Sequence, residues 1–187
     1  MTEAVVLAIY GSILVDLIAF PVPSEASSWQ LVTGAEDRPT AAKRLVIYAL
    51  PAALAVAAFA LPIPLALLPS LREGLLPLPF GAVIPGLLLL IAGRLLSLIG
   101  AVQLNRSSGG LTESGAFRVS RNPIVVGMWA MHLGSCLVFP SAVLWAGMIP
   151  LVANLHRRVR IEEAHLKSQF GPQFDAYAGR VGRYLVF

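Results

Sequence analysis

The chain has 187 residues and a formal net charge of +4, with 57% hydrophobic residues and only 13% charged, about half the charged share of an ordinary soluble domain. So few charges cannot cover a water-facing surface, and the apolar residues gather in long blocks, which points to helices in a bilayer; the dyad-alternating segments of a transmembrane barrel are missing. The basic residues concentrate between Arg157 and Arg183, a juxtamembrane placement that suits topology and anionic lipid rather than nucleic acid.

Ala4 to Phe20 form a first apolar block, interrupted by Asp16 and closed by Pro21 and Pro23. It does not read as a secretory signal, because Glu3 is the only early charge and no A-x-A-like site follows. A second block runs from Leu45 to about Leu68 and a third from Phe80 to Leu104, with Arg94 and Gln103 inside the third. Pro69, Gly74, Pro77 and Pro79 mark the connection between them. A polar stretch from Asn105 to Asn122 follows. The blocks Pro123–Phe139 and Ala142–Leu155 are then separated only by Pro140 and Ser141, the pattern of a helical hairpin. Ser141 is an N-cap type, and helical pattern continues through Pro150 to Phe170, where Gly171-Pro172 stops it. A helix from Ala142 to Phe170 is about 44 Å long at about 1.5 Å per residue. That exceeds the roughly 30 Å hydrocarbon core, so its C-terminal half emerges into water.

Arg38, Lys43 and Arg44, then Arg106, Arg118 and Arg121, and finally the basic tail fall on one side if five helices cross. The excess of Lys and Arg on cytoplasmic loops then puts the N-terminus outside and the C-terminus in the cytoplasm of a plasma or inner membrane. The expected architecture is all-α and polytopic, with about five transmembrane helices, a C-terminal hairpin and a cytoplasmic helical extension. Its expected division is a three-helix membrane region, 1–104, and a functional core, 105–187.

Two clusters meet at the cytoplasmic mouth of such a hairpin: Gly115 to Pro123, with Gly127 just inside the fourth block, and Arg158 to Glu163 where the fifth emerges. Arg158 and Glu162 are four apart and Arg160 and Glu163 three apart, so each pair shares a helix face. By spacing alone this reads either as a solvated face with internal ion pairs or as a ligand site. Cys136 is the only cysteine, which rules out an intrachain disulfide and a cysteine zinc cluster; no metal site is expected. In its apolar run it reads as a packed thiol. His132 reads as a hydrogen-bonded core histidine, and His156 and His165 as interfacial or solvated. Arg94 within the third block either snorkels, pairs with Asp16 or lines a cavity. Trp129 and Trp145 read as packing residues and Trp29 as an interfacial anchor.

The run Gly115-Ala-Phe-Arg-Val-Ser-Arg-Asn-Pro-Ile-Val-Val-Gly127, an apolar hairpin, Arg160-Ile-Glu-Glu163, and Phe170-Gly-Pro-Gln-Phe-Asp-Ala-Tyr177 resemble the isoprenylcysteine carboxyl methyltransferase and phospholipid methyltransferase superfamily. Its members show G-x-[FY]-R-x-x-R-H-P-x-Y-x-G, an apolar-Glu-Glu pair and F-G-x-x-[FY]-x-x-Y in the same order. The likeness covers about Leu111 to Phe187. It implies S-adenosylmethionine as cofactor and a lipophilic or membrane-partitioning acceptor that enters from the bilayer. The acceptor class stays open between an isoprenylcysteine-like carboxylate, a phospholipid amine and a small thiol. By position, Arg121, Asn122, Pro123, Gly127, Glu162 and Glu163 are carried over as cofactor contacts. Phe117 and Arg118 join them as parts of a glycine-hinged loop, Asn105 to Ser120, that closes over the cofactor, Arg118 returning to the Glu-Glu segment as an ion pair. Arg158 and Glu162 are the candidate catalytic residues: Arg158 or Arg160 would hold an anionic acceptor, and Glu162 or Glu163 would take a proton from an amine or hydroxyl. Asn122 stands where the family has histidine, keeping a donor and an acceptor but no proton carrier, and Val125 stands where it has tyrosine. The rival readings are an NADPH-dependent membrane reductase and a non-catalytic membrane protein that retains the fold.

Overall fold

A computed structural model of the protein describes residues 1–19, 49–72, 76, 79–107 and 110–185, with no strand among them. Seven helices are used below: α1 (Thr2–Ala19), α2 (Leu50–Ala60), α3 (Pro62–Leu67), α4 (Val83–Arg106), α5 (Pro123–Val138), α6 (Ala142–Phe170) and α7 (Pro172–Arg180). Trp29 and the basic residues at 38, 43 and 44 lie outside the described residues.

Leu50–Leu67, which joins α2 and α3, and Val83–Arg106 are each long and apolar enough to cross a bilayer, with a mean hydropathy of 2.1. On α4, Ile84, Leu88, Ile91, Leu95 and Ile99 form a stripe at helical spacing that is between 44% and 62% exposed. Gly86, Gly93, Arg94 and Gly100 of the same helix are buried. Apart from the buried Leu90, large apolar groups point outward and small or polar ones inward, which inverts the pattern of a soluble amphipathic helix. The protein is a membrane protein.

Helices α4 and α5 form the closest pair. The α4 glycines recur every seven residues, as a left-handed helix pair requires, and they meet Gly127 and Gly134 of α5. A Cβ placed on Gly93 would lie 2.6 Å from the Gly127 carbonyl oxygen. One placed on Gly127 would lie 2.5 Å from the Gly93 carbonyl, and one on Gly134 would lie 2.5 Å from that of Gly86. Only hydrogen fits at these points, so the backbones make the contact themselves and gain dispersion along the whole pair.

Helix α1 packs on this pair through Val6, Ile9 and Tyr10, in a core shared with Leu90, Met131, Cys136 and Leu144. The Tyr10 hydroxyl and Ser135 Oγ are 3.0 Å apart, and Ser135 Oγ donates to the Met131 carbonyl. Arg94 Nε donates to Ser12 Oγ at 2.6 Å and Nη2 to the Ser12 carbonyl at 3.2 Å, which turns this charge toward α1. The Asp16 side chain lies outside what is described. His132 is fully buried, its Nε2 3.0 Å from the Leu144 carbonyl, as a core histidine should be.

One end of the bundle is tied by Arg72, which meets Glu3 at 2.7 Å and donates to the Leu65 and Ala66 carbonyls. The Leu76 amide reaches the Pro140 carbonyl of the α5–α6 connection at the same end. Ser141 caps α6, its Oγ accepting from the Val143 amide. The helix passes through Pro150, which removes one amide donor without ending it, and stops at Gly171, whose φ of +48° suits a residue without a Cβ. Beyond it α7 is an element that the stop signal at Gly171-Pro172 did not announce. Pro172 opens it at a position where no amide is needed. Phe174, Tyr177 and Val181 then form their own small core with Leu111, Leu166, Phe170 and Ala178.

Candidate functional site

At the other end of the bundle, four pieces of chain converge: the start of α5, the emergent part of α6, α7, and the segment that leaves α7. Pro123 occupies the first turn of α5 and is buried against Gly100 of α4, which fixes where Arg121 and Asn122 stand. On α6, Val159 and Glu163 are buried while Arg158, Arg160 and Glu162 are exposed, so one face carries the site and the other meets solvent.

Glu163 is the centre. Its side chain is 9% exposed, and two guanidinium nitrogens of Arg183, Nε and Nη2, converge on Oε2, both at 2.9 Å. Arg121 Nη1 lies 3.3 Å from Oε1, and the Arg121 guanidinium also sits over the Phe174 ring at 5.9 Å. A carboxylate removed from water is tolerable only with such compensation, because an unpaired charge in a low dielectric is strongly penalised. Compensation is nevertheless incomplete: Glu163 Oε1 and Arg121 Nε are buried without a hydrogen-bond partner, and so is Trp129 Nε1.

The segment after α7 runs across the mouth between α5 and α6. The Arg121 amide donates to the Gly182 carbonyl at 3.0 Å. Asn122 Nδ2 donates to the Arg183 carbonyl at 3.0 Å, and Ser120 Oγ reaches the same oxygen at 3.4 Å. The Tyr184 ring lies 4.5 Å from that of Trp129, and its hydroxyl bonds His156 Nδ1. Burial holds the Tyr184 hydroxyl above its ordinary pKa. Tyr177, pushed up to about 12 by burial, donates to the Phe117 carbonyl at 2.8 Å.

The sequence-derived residues therefore fall into three groups. Arg121, Asn122 and Glu163 meet at the mouth. Pro123 and Gly127 support it from behind: where Gly127 would carry a side chain it faces Gly93 and Ser97 of α4, so the close approach that glycine permits is made to a helix. Arg158 and Glu162 stay half exposed on the outer face of α6, 4.0 Å apart. The expected pairing of Arg160 with Glu163 is replaced by Arg121 and Arg183, because the buried carboxylate turns inward while Arg160 stays in solvent.

Phe117 is buried in the turn Gly115–Arg118, and the neighbouring Ala116 amide donates to Gln103 Oε1 at 3.0 Å. Gly115, with a φ of +59°, needs its missing side chain there. Arg118 is exposed and lines a cleft of about 990 Å³ with Gln103, Arg106, Glu113, Tyr177 and Arg180. Glu113 pairs with Arg180 at 2.7 Å. The expected ion pair from Arg118 to the Glu-Glu segment is thus made by Arg121 and Arg183 instead. His156, read from sequence as interfacial or solvated, is half-buried against Tyr184.

Arg183 and Tyr184 are the residues that sequence reasoning missed. Arg183 counted only as part of a basic tail, and its role depends on a carboxylate twenty residues away across a turn and a helix.

The curated proteins and the solved structures contain no match to the chain. A family model described as phospholipid methyltransferase matches residues 92–173, from the middle of α4 to the start of α7. That stretch includes the second part of α4 with Gly93 and Gly100, all of α5 and Glu162-Glu163, and over residues 92–173 the chain is similar to the phospholipid methyltransferase family, consistent with the superfamily of membrane methyltransferases.

Proposed function

We propose that the protein transfers a methyl group from S-adenosylmethionine to a lipophilic or membrane-partitioning acceptor at the cytoplasmic face of a membrane. The observation that carries this reading is Glu163, a carboxylate buried between two arginines at the hairpin mouth, inside the stretch that the family model matches. Glu163 Oε1, Arg121 Nε and Trp129 Nε1 are buried polar atoms still lacking hydrogen-bond partners. A ligand with both an ammonium and a carboxylate, such as the methionyl end of this cofactor, supplies the missing partners for Glu163 and Arg121. When bound, the cofactor supplies an electrophilic methyl group on a sulfonium, so neither a metal nor a covalent enzyme intermediate is needed.

The work left to the protein is to hold, align and exclude water. Arg121 and Glu163 orient the charged end, and Asn122 fixes the adjoining chain. A carboxylate or thiolate acceptor needs no base. An amine or hydroxyl acceptor must lose a proton, for which Glu162 is the exposed carboxylate at hand, and Arg158 beside it is suited to an anionic acceptor. The proposed catalytic unit spans 105–187, with 1–104 as its membrane region. The proposed topology has five crossings, with the N-terminus outside. It is supported by the grouping of Glu3, Arg72 and Pro140 at one end of the bundle and of Arg106, Arg118, Arg121 and the tail at the other.

Calorimetry with purified protein is the direct test. Binding of S-adenosylhomocysteine without binding of NADPH is expected, followed by a methylated lipid-soluble product in proteoliposomes. NADPH binding alone would replace this reading with a reductase. Cofactor binding without any methylated product would replace it with a non-catalytic protein.

A further inference from the structure

The geometry points to Arg183 as an internal cation that holds the Glu163 carboxylate until a cationic ligand replaces it, and to Val181–Leu185 as the latch that carries it. The inference rests on the cofactor reading above.

Glu163 has two cationic partners, and they differ in how firmly they are held. Arg121 is 13% exposed, stands at the fixed entrance of α5 and lies over Phe174. Arg183 is 39% exposed and belongs to a segment without regular structure, past the end of α7. If one of them is to leave, it is Arg183. It cannot leave for nothing, because the carboxylate would stay buried beside a single guanidinium that touches only its other oxygen. Whatever takes its place must bring positive charge to Oε2.

The latch is fastened at points that can open together. On its inner side Val181 is packed with Phe174 and Tyr177. Next comes Gly182, whose carbonyl the Arg121 amide ties to the α5 entrance at 3.0 Å and whose missing side chain lets the chain beyond it turn. Among the described residues beyond Gly182 the attachments are polar or aromatic and face the α5–α6 mouth: the Arg183 carbonyl to Asn122 and Ser120, the Arg183 guanidinium to Glu163, and Tyr184 to Trp129 and His156. Leu185, the last described residue, is exposed and adds no apolar anchor. Asn122, which stands where relatives carry histidine, thereby acquires a task in this chain, namely to hold the closed latch by its carbonyl.

Three consequences follow for binding of S-adenosylhomocysteine, whose ammonium is the probe cation. Arg183→Gln removes the competing cation but leaves the chain in place, so affinity is expected to rise severalfold. Tyr184→Ala loosens the latch without touching Glu163, and affinity is again expected to rise, by a smaller factor. In the unaltered protein, amide exchange over Val181–Leu185 is expected to accelerate when the ligand is added, whereas α5 is expected to be protected. A fall in affinity on Arg183→Gln, with Tyr184→Ala unchanged, would make Arg183 a fixed ligand contact and overturn the latch while leaving the cofactor reading intact. Slower exchange of Val181–Leu185 on ligand addition would overturn it equally. Absence of binding in the unaltered protein and in both variants would overturn the cofactor reading itself.

Discussion

Glu162 and Glu163 are adjacent in sequence and opposite in physics. The first is half exposed and shares a 4.0 Å contact with Arg158, a pair across one helical turn of the kind that contributes about 0.3–0.5 kcal/mol. The second is enclosed and holds two guanidinium groups. Glu163→Ala leaves Arg121 with a buried Nε and no carboxylate, so the loss of folding stability is expected to be about 2 kcal/mol, below the value for a fully buried pair because Arg183 is partly solvated. Glu162→Ala is expected to change stability by less than about 0.5 kcal/mol. Thermal unfolding in detergent separates the two, and equal effects would return Glu163 to the solvated helix face. In ligand binding, Glu163→Ala is expected to weaken S-adenosylhomocysteine by roughly 1.5–3 kcal/mol, the scale of a charged hydrogen bond, as read by calorimetry.

Among the elements, α4 and α5 decide whether the mouth keeps its shape. Their backbones touch at two glycine levels, Gly86 with Gly134 and Gly93 with Gly127, so a single methyl group must push two helices apart, and Arg121, Asn122 and Pro123 sit at the end of one of them. Gly93→Ala or Gly127→Ala is expected to destabilise the protein by about 1–3 kcal/mol, the range for overpacking a closed core. Gly11→Ala is the control, because nothing lies within 4 Å of a Cβ there. It is expected to be neutral or slightly stabilising, as alanine is the better helix former. If all three variants melt alike, close packing of α4 on α5 is not what holds the mouth. The expected boundary at 104/105 falls within the last turn of α4, whose helix continues to Arg106.

At the scale of the whole molecule, the proposed orientation rests on the placement of basic residues and apolar spans. The emergent half of α6 carries a run of charged residues from Arg157 to Lys167 and packs with α7, and in the proposed orientation this end faces the cytoplasm. A reporter active only in the cytoplasm is expected to work when fused after Phe187 and to fail when fused before Met1. Activity at both ends would mean an even number of crossings.

The sequence by itself determined the helical class, the extent of α6 from its Ser141 cap to its Gly171 stop, and the motif residues that meet at the mouth. These follow from local or periodic rules: hydropathy over about 20 residues, capping chemistry, and glycine or proline as punctuation. It missed α7 because Gly171-Pro172 signals a stop and a start alike, while the packing of Phe174, Tyr177 and Val181 that makes the second helix worthwhile lies partly on Leu111, far away in sequence. Only the tertiary structure decided that Glu163 belongs to Arg121 and Arg183 rather than to Arg160, and that Gly127 serves helix packing. Those outcomes depend on which face of each helix is buried, and burial sets both the need of a carboxylate for a partner and the room for a side chain; neither can be read from spacing along a single helix.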